Sequence, residues 1–241
     1  MYGMTTTRIL ASGFLALALT LASPAQAWSI NKSITIEDGS ESGGKSSVNG
    51  SITVGRNATV TGALETVNGA IRVDDDARVA DLQTVNGSIR VGSKTVTADI
   101  SGVNGSIRIG NDAVIDGEIS VVNGRISTES GARVSKDVSN VNGEFQISGS
   151  TIGGDLSTVN GDVWLMDKSE LQGDLIVEKP SGWNSKGQRD PTVVIGPGSI
   201  VKGQIRLERK VELYIHDSAT VGGVSGVMSL DDAVRFSGDR P

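Results

Sequence analysis

The sequence predicts an all-β fold, a single-stranded parallel β-helix or solenoid of about ten coils of 18–19 residues. Three observations predict it. Val-Asn-Gly occurs seven times between Val48 and Gly161, with its asparagines at Asn49, Asn68, Asn86, Asn104, Asn123, Asn142 and Asn160. Their separations of 19, 18, 18, 19, 19 and 18 residues are a repeat period, not a scattered motif. Within each period apolar and polar residues alternate, the signature of half-buried strands, and no helical pattern replaces it. With 32 glycines and 3% aromatic residues in 241, the composition suits a thin rod better than a round core.

Taken from its start, the chain opens on a segment that reads as a secretory signal. Arg8 gives a short positive region, Ile9 to Leu21 an apolar run, and Ala25-Gln26-Ala27 a small-residue cleavage site. Residues 1–27 are therefore expected to be a signal peptide, and no membrane span is expected after its cleavage. There is no cysteine, so an exported chain would have to hold together without disulfides or a lipid-modified thiol. A net charge of −6 argues against nucleic acid as a partner.

The β-helix is expected over 28–226, beginning with Ile30-Asn31-Lys32-Ser33-Ile34-Thr35-Ile36, which already matches the later Val-Asn-Gly-Ser-Ile-x-Val. Each repeat reads as two halves, that strand and an Ala-x-Val-x-Gly-x-Ile segment, as at Ala58 to Leu64, Ala113 to Ile119 and Ala132 to Val138. Asn-Gly between alternating residues is also a hairpin signal, but a meander leaves the second half without a return turn. Stacked parallel coils account for both halves. In them Asn and Gly are expected to supply a left-handed corner, and the seven asparagines to lie above one another as an amide ladder.

These residues resemble two families. The Val-Asn-Gly-Ser-Ile repeats are similar to the adhesin-type β-helix domain of bacterial exported proteins, and the Ala-x-Val-x-Gly-[Asp/Glu]-Ile halves to bactofilins, which form polymers. The resemblance covers Ile30 to about Val224 and implies the fold. It points function toward adhesion or an envelope scaffold, or toward self-association through the rod ends. Typical bactofilins are cytoplasmic, and the signal peptide departs from them. Ile195-Gly-Pro-Gly-Ser further resembles the hexapeptide repeat of left-handed β-helix acyltransferases, but the dominant repeat does not divide into sixes, so a right-handed helix is expected instead.

After Leu175 the spacing of inward residues jumps from 18 to 30, from Val163 and Leu165 to Val193 and Ile195, so residues 178–191 read as a surface loop carrying Trp183. The repeat then resumes, and residues 227–241 are expected to leave it, with Met228, Leu230, Val234 and Phe236 capping the open end.

Chemical motifs are absent: no nucleophile elbow, phosphate loop or His/Cys metal cluster occurs, so no catalytic residue, metal ligand or cofactor is assigned. His216, the one histidine, reads as a turn residue and not a general base. Stacking makes columns of equivalent positions. One outward column runs Thr35, Thr53, Arg72, Arg90, Arg108, Ser127, Gln146, Trp164, Val194, Tyr214, and a second holds Asp81, Asp99, Glu118, Asp137, Asp155 and Asp174. Ligand-binding candidates are thus Trp164, Trp183 and Tyr214 as an aromatic platform, with Arg72, Arg90 and Arg108 to pair an anionic glycan. The expected function is a non-catalytic binding module or scaffold of the periplasm or cell surface, with an envelope or extracellular glycan as its partner. The alternatives are a carbohydrate-active enzyme on the same rod or a bactofilin-like filament.

Overall fold

The computed structural model describes residues 30–180 and 189–241; the expected signal peptide and Trp183 lie outside the described residues. Each coil runs through three short strands. Ile107–Ile109, Val114–Ile115 and Ile119–Asn123 make one coil, and each strand lies parallel to its equivalent in the next. Stacking produces three parallel sheets of 11, 10 and 10 strands, here called first, second and third in coil order. With about ten spacings of ~4.8 Å the rod is roughly 50 Å long. The parallel pairing removes the hairpin meander and confirms the β-solenoid.

The coil has three sides where the repeat reads as two halves. The second half bends at its glycine, so Val114–Ile115 and Ile119–Asn123 belong to different sheets. Val-Asn-Gly-x-Ile-x-Val is likewise two strands around a corner: Asn104 ends a strand of the third sheet, and Ile107 opens one of the first.

The tightest left-handed corner is not at the asparagine-glycine pairs, although Gly105, Gly124 and Gly143 there do take positive φ of 145 to 159°. It lies between the first and second sheets, at Asn57, Asp76, Lys94 and Asp112, with φ of 55 to 60°, and at glycines such as Gly131 and Gly149. Short polar side chains and glycine tolerate this region best, which fits all but Lys94. Asn68, Asn86, Asn104, Asn123 and Asn142 instead end strands of the third sheet, and only Asn31 at the start of the column is left-handed, at φ 57°. The glycines that follow these asparagines meet a further constraint. A Cβ on Gly87 would run into the carbonyl oxygen of Gly69, and one on Gly105 into that of Gly87. Backbones at this corner stack too closely for any side chain.

Inward residues fill the interior. Ile71, Ile89, Ile107 and Ile126 are in register on the first sheet, none more than 1% exposed, and Phe145 continues the row. Each such side chain contributes roughly 1.5–3 kcal/mol by leaving water, so the long row compensates for a core only one coil thick. Across the expected loop the pairing skips without slipping: Leu165 pairs with Ile195 and Leu175 with Ile205. The added residues therefore leave both sheets in register.

The C-terminal segment departs from the expectation of a plain apolar cap. Met228 packs on the core, but Leu230 and Val234 are 40% and 54% exposed. Val234–Phe236 forms the eleventh strand of the first sheet, with Tyr214 opposite Val234, Ile215 opposite Arg235 and His216 opposite Phe236. Its apolar residues thus share the side of the outward Tyr214, and Arg235 takes the inward position. At the other end Lys45 holds an inward position, opposite the buried Leu64. A charge at the inward position of each end is a known defence of exposed strand edges.

Candidate functional site

The outward column of the first sheet is continuous. Thr53, Arg72, Arg90, Arg108, Ser127, Gln146, Trp164, Val194 and Tyr214 occupy matching positions on consecutive strands. They face outward because each lies between two inward residues, as Arg90 lies between Ile89 and Val91. Arg72, Arg90 and Arg108 are exposed, one strand spacing of ~4.8 Å apart at the backbone. Among the described residues none of them has a carboxylate or hydrogen-bond partner. Elsewhere Arg56, Arg125, Lys202 and Arg206 each reach a carboxylate on a neighbouring coil, at 3.8, 2.8, 2.6 and 3.2 Å. Three like charges side by side repel, and in an acidic chain the column leaves them uncompensated.

Farther along, the column turns aromatic and is partly covered. Trp164 and Tyr214 are half-buried, and Val194 between them has no exposed surface although its position faces outward. The guanidinium carbon of Arg240 lies 5.8 Å from the centre of the Trp164 ring, a cation–π contact. The structure therefore aligns Trp164 and Tyr214 with the three arginines; the third expected aromatic, Trp183, lies outside the described residues. Arg240 was not legible in the repeat, because it follows the last matching position.

The asparagine ladder forms. The Nδ2 of Asn49 donates to Oδ1 of Asn31, and the chain of bonds continues through Asn68, Asn86, Asn104, Asn123, Asn142 and Asn160 at 2.7 to 3.0 Å. It runs along an exposed corner, and each amide nitrogen is committed to the oxygen of the asparagine one coil before it. The acidic column is also structural. Asp81, Asp99, Asp137, Asp155 and Asp174 each accept the backbone N–H one coil on, at 2.7 to 3.2 Å.

Two ionisable features lie outside the columns. Burial, with the charge of Glu208 second, pushes the Glu178 carboxyl up, while Lys179 donates its backbone N–H to Glu208 at 3.2 Å. His216 uses Nδ1 to accept the backbone N–H of Ser218 at 3.0 Å and packs edge-on against Phe236, so its bonds serve the turn and the last strand. Among the described residues no group of three or more His, Cys, Asp or Glu could hold a metal ion. No helix there is long and apolar enough to cross a membrane.

Fold and surface together define a parallel β-solenoid with an asparagine ladder along one corner and, on one face, an arginine column without partners among the described residues. In comparisons with family models, curated proteins and solved structures, the chain matches none.

Proposed function

We propose that this protein is an exported, non-catalytic β-solenoid that binds a linear anionic glycan of the cell envelope or its surroundings along the first sheet. The observation that carries the reading is the in-register column Arg72, Arg90, Arg108, exposed and, among the described residues, without partners. A rigid row of planar guanidinium groups suits a chain that presents carboxylates or sulfates at a regular interval, because each can be gripped through two parallel N–H bonds. The repeats' resemblance to adhesin-type β-helices and the signal-like sequence of residues 1–27 point the same way. The inward charges Lys45 and Arg235 speak against a filament built by stacking rod ends.

The ligand class is tested by passing the protein over immobilised polygalacturonate and over a neutral glucan. Retention on the acidic polymer alone, lost progressively with salt, is expected. Equal behaviour on both matrices refutes the anionic-glycan reading.

A further inference from the structure

We propose that Arg240 is a fourth cation of the glycan-binding face, carried back onto it by the C-terminal segment; this rests on the proposed binding along the arginine column. The contact of Arg240 with Trp164 requires the segment to turn back along the sheet. Val234–Phe236 is the last strand of the first sheet, and Trp164 lies three strands inward, past those of Tyr214 and Val194. Three strand spacings are ~14 Å, and residues 237–240, bent at Gly238 and Asp239 with Gly238 at φ 104°, bridge that distance together with the long Arg240 side chain. Val194, on the same column between Trp164 and Tyr214, is outward yet without exposed surface.

Arg240 ends on the column itself, over the ring of Trp164, and among the described residues no carboxylate pairs with it. A guanidinium lying on an aromatic ring keeps its in-plane N–H groups free, and the ring restrains its position. The column from Arg72 to Trp164 then has a cation at both ends, with the neutral Ser127 and Gln146 between. An anionic glycan long enough to follow it over five strand spacings, ~24 Å, meets Arg240 after Arg108. Trp164 is thereby a positioning residue for Arg240 more than a bare stacking platform.

The test measures binding of polygalacturonate oligomers, short and long, to the native protein and to Arg240→Gln, Trp164→Leu and the Arg72→Gln/Arg90→Gln/Arg108→Gln triple variant. Arg240→Gln is expected to weaken binding of the long oligomer about threefold and to reduce its salt dependence, with little effect on the short one. Trp164→Leu, which keeps the charge but loses its restraint, is expected to weaken the long oligomer as well. If the triple variant loses binding while Arg240→Gln binds the long oligomer unchanged, the fourth cation is refuted. Tighter binding by Arg240→Gln also refutes it, and marks the segment as a cover over the aromatic end. A triple variant that binds like the native protein overturns the column reading and this inference with it.

Discussion

Arg209 donates a hydrogen bond of 2.9 Å to the side-chain oxygen of Asn160 and so closes the asparagine ladder. Every earlier asparagine in the ladder has the next one as its donor; Asn160 has none, because the chain leaves the repeat for the inserted loop. The arginine, 12% exposed at its side chain, also donates to the backbone oxygens of Val159 and Arg189 at 3.3 and 3.2 Å. Arg209→Met is expected to cost about 1–3 kcal/mol, since it strands three acceptors at once. Urea unfolding measures it, and an unchanged midpoint contradicts the closing role.

Within the ladder the cost is smaller. Asn104→Ala removes one donor and one acceptor, but the corner is exposed and water can serve Asn86 and Asn123 in its place. A loss of about 0.5–1.5 kcal/mol is expected. Thermal unfolding indistinguishable from the native curve means that the ladder adds no net stability.

Two glycines of one repeat separate close stacking from mere conservation of a small residue within the repeats. Gly87→Ala drives a Cβ into the Gly69 backbone and is expected to cost about 2–4 kcal/mol. Gly102→Ala meets the methyls of Val121 and Thr84 at 3.7 and 3.8 Å and the Thr84 carbonyl oxygen at 4.0 Å, ordinary contacts, and is expected to be neutral or to stabilise by about 0.4–1 kcal/mol. Equal effects at both positions contradict this account of the corner.

Glu178 makes stability depend on pH in a stated direction. Its folded-state pKa is raised by burial and then by Glu208, so the folded protein holds this proton more tightly than the unfolded chain. Its contribution is therefore greatest in acid and declines as pH climbs from the ordinary glutamate range through the raised value. Glu178→Gln should flatten that part of the stability profile and raise the melting temperature at neutral pH. A profile unchanged by the substitution removes the buried charge from the account.

The rod ends supply a prediction about assembly. Lys45 and Arg235 stand at inward positions of the terminal strands, where an apolar residue would extend the core to the surface. Lys45→Leu with Arg235→Leu is expected to produce end-to-end oligomers in light scattering, while the native protein stays monomeric. Native filaments in electron micrographs contradict this and favour the bactofilin-like alternative.

The period and alternation made the solenoid, its coil count and the outward column legible, because each depends on repetition alone. Asn49 to Asn160 stack because their spacing equals one coil, and Arg72, Arg90 and Arg108 align for the same reason. What escaped the sequence lies where identical residues have different causes. Glycine at Gly87 reads as a left-handed corner until the neighbouring coil shows that a Cβ has no room. The three-sided coil was hidden because a bend at Gly117 and a straight strand share the same alternation. Arg209 and Arg240 act on residues 49 and 76 positions away, outside the period, so no repeat could reveal them.

The arginine column is tested most directly by measuring retention on polygalacturonate at low and high salt for the native protein and for the Arg72→Gln/Arg90→Gln/Arg108→Gln variant. The native protein is expected to be retained at low salt and released at high salt, and the variant to elute unretained with an unchanged melting temperature. Retention of the correctly folded variant equal to that of the native protein would contradict the binding role of the column.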